Sequence, residues 1–241
     1  MKRTYILILL LTGCTGSYIG LPETRIVNGP PYGAVVDNNT IKFVWEGNEY
    51  TTEFRYCIDT ILSEWTDAES ITLILDEGWH TFSVYGRNLI GEIEKTYPRT
   101  AFLVDGIRNG FSLAPLLDTV SITRHFTIFL RAETPCLHRY EHFVIKWDRS
   151  KVEFSGILYD SSSYSPNALP VIITRSYEDS AEIFLSMLGG DFPEQDRVIC
   201  SIEFVPINSG ECDFILDGEI FDSTGTTIPL DTLQGGRIVI Y

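Results

Sequence analysis

The nucleophilic and metal-ligating chemistry open to this chain rests on a few side chains: five cysteines and four histidines. Cys136, His138 and His142 are spaced closely enough to hold zinc. Three donors at a loop and strand entry, with no paired Cys-x-x-Cys, nevertheless assign no metal. His80 and His125 are the other histidines. No Gly-x-Ser-x-Gly elbow or phosphate loop occurs. A glycosidase carboxylate pair is defined by separation in space, so counting acids does not decide it, and the chain is read as non-enzymatic. Asp217-Gly-Glu219 and Asp222-Ser-Thr-Gly225 could supply oxygen ligands to calcium, and two ordinary β-turns explain them equally well. Apart from that calcium reading no cofactor is expected. Trp65, Trp79 and Tyr164 fall in or beside predicted loops, where they could stack on sugar rings or serve as buried edge aromatics.

Cys14 stands in a different context. It follows Met1-Lys-Arg3, an apolar run from Tyr5 to Leu11, and the small pair Thr12-Gly13. A positive start and a short apolar segment describe an export signal over residues 1–13, too short to remain as a spanning helix. The segment resembles the lipobox of bacterial lipoproteins. That resemblance implies cleavage before Cys14, lipid attachment at Cys14 and anchoring by two or three acyl chains, which hold firmly where one does not. Thr15 rather than Asp follows the cysteine, which implies an outward-facing place in the cell envelope, on the outer membrane where a cell has two.

The formal charge of −15 becomes more negative once Lys2 and Arg3 are removed. Nucleic-acid binding, which needs clustered Lys and Arg, is excluded, and no membrane contact beyond the lipid is expected. Of the remaining cysteines, Cys57, Cys136, Cys200 and Cys212, an exported protein can oxidise pairs. Cys200 shares a face with Ile202 and Phe204, and Cys212 with Phe214 and Leu216. A Cys200–Cys212 bridge is therefore predicted, with two buried thiols as the alternative.

The elements that carry these groups are strands. Phe126, Ile128 and Leu130 alternate with Thr127, Phe129 and Arg131, and after a break at Thr134-Pro-Cys136 the alternation resumes with Phe143, Ile145 and Trp147. Side chains alternate faces along a strand, so Tyr140, His142, Val144 and Lys146 form the opposite, available face. Similar short alternations recur at Ile41–Trp45, Phe54–Ile58, Ile71–Leu75, Phe82–Val84 and Phe102–Val104, separated by turn residues, and no long run has helical spacing. The prediction is an all-β protein of two β-sandwich domains, residues 30–105 and 106–241, after a Gly-, Ser-, Thr- and Pro-rich tether over 14–29.

Phe43-Val-Trp-Glu-Gly47, Tyr56 with Trp65, Glu77-Gly-Trp-His-Thr-Phe-Ser-Val84 and Asn88-Leu-Ile-Gly91 resemble the fibronectin-III or Ig-like modules of bacterial exported proteins. The resemblance implies a spacer. The run from Phe143 through Trp147-Asp148 to Val152, Phe154 and Gly156 resembles the strand, Asp turn and strand of a cohesin domain. The likeness continues through Ser201-Ile-Glu-Phe-Val205, Gly210 and Asp222-Ser-Thr-Gly225 to Gly236-Arg-Ile-Val-Ile240. It implies a jelly roll that binds dockerins or another extracellular protein, with Tyr140, His142, Val144 and Lys146 facing the partner. Tyr140 and His142 stand where many dockerin-binding cohesins carry Asn and Asp, and Arg149 replaces the usual Pro after the turn. A glycan-binding surface lipoprotein is the other functional reading, because carbohydrate-binding modules share such sandwiches.

Overall fold

The computed structural model describes residues 20–133, 135–159, 170–188, 190–192 and 195–241. Cys14, Tyr164 and the expected export signal over residues 1–13 lie outside them. The described residues form strands and connecting loops, with no helix, and the chain is all-β.

The first unit contains β1 (Thr24–Asn28), β2 (Val35–Val36), β3 (Thr40–Gly47), β4 (Glu53–Ile58), β5 (Ile61–Leu62), β6 (Ser70–Ile74), β7 (Gly78–Arg87) and β8 (Arg99–Val104). Two sheets, ordered β1-β3-β6 and β2-β8-β7-β4-β5, face each other. Period-2 alternation puts Phe43 and Trp45 of β3 against Phe82 of β7 and Phe102 of β8, and Phe43 stacks on Phe82 with ring centroids 3.8 Å apart. This is a β-sandwich closed by aromatic packing.

Part of the expected tether is ordered. Thr24 to Asn28 pair with Val44 to Gly47 as an edge strand, and Ile26 packs against the core. Prolines on both sides of this strand masked its β-branched alternation.

The second unit continues with β9 (Gly110–Ala114), β10 (Leu117–Val120), β11 (Phe126–Glu133), β12 (Tyr140–Lys146), β13 (Val152–Tyr159), β14 (Pro170–Ser176), β15 (Ser180–Met187), β16 (Arg197–Pro206), β17 (Gly210–Phe221), β18 (Thr227–Ile228), β19 (Thr232–Gln234) and β20 (Gly236–Ile240). One sheet runs β10-β20-β17-β12-β15-β14, with β18 on β17, and the other runs β13-β16-β11-β9-β19. Between them Phe143, Ile145, Ile183, Ile202, Phe204 and Phe214 build a core separate from that of the first unit.

The predicted Cys200–Cys212 bridge is absent; both are buried free thiols. Alternation gave each the right face and left its height in the core open. Phe204 and Phe214 meet at 4.9 Å, while Cys200 lies four residues from Phe204 toward Leu130, about 13 Å along β16. Cys212 lies beyond Phe214 in the other direction, near Asp148. The two thiols sit toward opposite ends of the sandwich, and burial pushes the Cys200 thiol up to about 12.

A turn between β6 and β7 joins the units. Asp76 Oδ1 accepts a hydrogen bond from the Leu116 amide at 2.7 Å. Glu77 accepts from the amides of Gly106 at 3.0 Å and Ile107 at 3.2 Å, and from Asn39 Nδ2 at 2.6 Å. Burial raises the Asp76 carboxyl above its ordinary value, and the Leu116 amide partly offsets that rise. The chain leaving β8 is thereby held against the first sandwich.

Candidate binding face

β12 lies in the middle of its sheet, between β15 and β17. Phe143, Ile145 and Trp147 are buried beneath it, while Tyr140, His142, Val144 and Lys146 point out, with Tyr140 and Lys146 exposed and His142 and Val144 half-buried. Register brings their neighbours together. Tyr140 lies opposite Ser186 and Phe221, His142 opposite Phe184 and Glu219, and Val144 opposite Glu182 and Asp217. One strand further out, Val171 is level with Ser186 and Ile173 with Phe184.

The result is a graded surface. Val171, Ile173, Phe184, Tyr140 and Phe221 surround a shallow depression of about 280 Å³ at one end. Glu182, Asp217 and Glu219 border it toward the other. Its volume is at or below the bottom of the range of about 300–1,000 Å³ typical of small-molecule pockets, and it suits an inserted side chain better than a substrate. Ile173 is 54% exposed and Tyr140 38%, so apolar area remains uncovered at its centre. His142 stacks flat on Phe184, with centroids 4.2 Å apart and planes 4° from parallel. That contact fixes the imidazole as part of the surface.

Alternation within β15 places Phe184 outward once Ile183 and Leu185 point in. Phe221 and Val171 are brought to the face only by strand pairing, which no local pattern reveals.

Beneath the face lies a charged cluster that sequence reasoning did not identify. Glu141 points inward between Tyr140 and His142 and is 1% exposed. Its Oε1 is bonded to His138 Nε2 at 2.6 Å and accepts from Arg197 Nη2. His138 Nδ1 meets the Cys136 carbonyl at 2.6 Å, and both His138 and Arg197 pack on the ring of Phe192. The available signal was an acid at an inward strand position, matched by an arginine entering the facing sheet.

His138 and His142 thus point to opposite sides of the sheet and share no ligand position. Among the described residues no three His, Cys, Asp or Glu side chains converge as a metal group. Asp217-Gly-Glu219 is strand interior, not a turn. Gly218 is required there because a Cβ would lie 2.5 Å from the ring of Phe143. Asp222 does form a turn: its Oδ1 accepts from the Thr224 amide at 2.8 Å, the Thr224 hydroxyl at 2.6 Å and the Thr226 amide at 2.9 Å. These bonds, the Thr224 hydroxyl foremost, hold its carboxyl below the usual range.

Of the aromatics considered for sugar stacking, Trp65 is covered by the guanidinium groups of Arg87, 4.4 Å from its centroid, and Arg55, at 5.7 Å. Trp79 stands exposed on β7.

No protein-family model and no curated protein matches the sequence. Among solved structures, a non-cellulosomal cohesin from Archaeoglobus fulgidus is similar at 12% identity, over 56% of this chain and 91% of that one, with a TM-score of 0.46. A type I cohesin of Clostridium thermocellum, solved in complex with a dockerin, is similar at 12% identity over 55% and 100% of the two chains, with a TM-score of 0.45. The cohesin module of a Clostridium perfringens family 33 glycoside hydrolase is similar at 13% identity over 56% and 99%, with a TM-score of 0.44.

Proposed function

We propose that this chain is a non-enzymatic bacterial surface lipoprotein, anchored through Cys14, that holds out a cohesin-like protein-binding module on an Ig-like spacer. The observation that carries the reading is the outward face of β12 and its neighbours, an exposed apolar centre with a polar and acidic border. Protein interfaces bury such centres behind polar rims, and aromatic residues supply much of their binding energy. Tyr140 is the anchor in this reading, because it presents a large rigid surface and keeps a hydroxyl for hydrogen bonding. Asp217 and Glu219 favour a partner with basic residues around an apolar patch, while Glu182 is already paired with Arg175 at 4.0 Å. The cohesin resemblance around Phe143 to Gly156 makes dockerin-like proteins the first class to test.

A protein partner is favoured over a polysaccharide, since Trp65 is already occupied by arginines and Trp79 lies on the other unit. Two experiments test the reading. A Cys14→Ser variant freed of residues 1–13 should move from the membrane to the soluble fraction, and its retention on membranes through a high-salt wash would contradict the lipid anchor. The immobilised full chain should capture a protein from the secretome of its cell through the β12 face; retention on insoluble polysaccharide with no protein captured would favour the glycan reading.

A further inference from the structure

We infer that the turn between Arg87 and Ile93 is a lipid-contacting surface that seats the first sandwich on the bilayer beside its anchor. The inference rests on lipid attachment at Cys14. Turns are normally built from polar residues and Gly, yet this one carries Leu89 and Ile90 at its tip, 81% and 61% exposed. It is a closed structure. The Asn88 amide donates to the Glu92 carbonyl at 3.0 Å, the Gly91 amide to the Asn88 carbonyl at 2.9 Å, and the Glu92 amide to Asn88 Oδ1 at 2.9 Å, with Gly91 at a φ of +84° that favours glycine. The two aliphatic side chains are held out in water by bonds that do not use them. Ile93, at the end of the turn, and Leu21, both more than half exposed, line one depression together.

Position identifies the occupant. Asn88 Nδ2 donates to the Gly20 carbonyl at 3.2 Å, and Asn48 Nδ2 donates to the Leu21 carbonyl at 3.0 Å. The start of the folded chain is thus tied to this pole. Cys14 precedes Gly20 by six residues, so its Cα cannot lie more than about 22 Å from that of Gly20. The second unit is held at the opposite end of β7, where Asp76 and Glu77 bind Leu116 and Gly106, and the ten residues of β7 place that end about 30 Å away. A tether this short presents lipid to the turn at high effective concentration, whereas a second protein would have to reach the same narrow gap from solution. Charge does not supply the attraction. Glu23, Glu49, Glu92 and Lys95 are exposed at this pole and Arg87 is paired with Glu53, so the contact is apolar and should form on neutral lipid.

The test uses full-length lipidated protein in phosphatidylcholine vesicles, with amide hydrogen exchange over residues 88–93 as the readout. Exchange at Leu89 and Ile90 should be at least tenfold slower on vesicles than in Cys14→Ser protein that lacks residues 1–13 and is free in solution. A Leu89→Gln, Ile90→Gln variant should keep its melting temperature and still float with vesicles through Cys14, and should lose the protection. Equal exchange in vesicle-bound and free protein, or undiminished protection in the glutamine variant, would overturn the lipid contact while leaving the anchor intact. Wild-type protein that fails to float would overturn the anchor and the contact with it.

Discussion

Glu77 grips the backbone of Gly106: its carboxylate lies 3.0 Å from that amide and reaches the next one, at Ile107, as well. A side chain of the first sandwich thereby holds the chain segment that leads into the second. Charge-assisted bonds to backbone amides are stronger than neutral ones, and this carboxylate also binds Asn39.

Replacing Glu77 by Ala should therefore loosen the junction rather than either core. The expected result is a loss of about 2 kcal/mol in stability, together with a larger radius of gyration in solution scattering. Scattering that superimposes on the wild type would show that the Asp76–Leu116 bond alone fixes the two units.

Glu141→Ala should be more damaging. Glu141, His138 and Arg197 are almost fully buried, and removing the acid takes away the one carboxylate oxygen that His138 and Arg197 share. Breaking one member of a buried pair typically costs about 3–5 kcal/mol. Urea unfolding should show a loss of that size, and a change below about 1 kcal/mol would mean that the pair behaves as an exposed one.

Glu133 gives a pH dependence of defined sign. Burial pushes its carboxyl up to about 7, against the pull of Arg131 and of the Ser112 hydroxyl, which donates to it at 2.8 Å. An exposed glutamate releases its proton near 4.5, so between there and about pH 7 the folded state binds more protons than the unfolded one. Stability from this group is present below that window and is lost as pH rises through it. Between pH 5 and pH 7.5 the wild type should lose unfolding free energy relative to Glu133→Gln. Parallel curves would contradict the assignment.

The legible and illegible parts of the fold separate along a physical line. Period-2 alternation is a local property, and it placed Phe143, Ile145 and Trp147 inside and Tyr140, His142, Val144 and Lys146 outside. Strand pairing is not local. The gathering of Phe184, Phe221, Val171 and Ile173 around Tyr140 depends on β15, β17 and β14 lying beside β12 in one register. The same limit explains Cys200 and Cys212: alternation fixed the face of each and said nothing of the distance between them. Glu141 was hidden for a different reason, since an inward acid breaks the apolar pattern unless its buried partners are known.

The central claim is that the β12 face is a binding surface and not part of the core. Its most direct test is the Tyr140→Ala, His142→Ala double variant, compared with wild type for melting temperature and for affinity toward the captured protein partner. The account predicts an unchanged melting temperature, because both side chains lie on the outer face, and at least a tenfold loss of affinity, consistent with removing an aromatic anchor. Unchanged affinity at an unchanged melting temperature would contradict it and move the interaction site off this sheet.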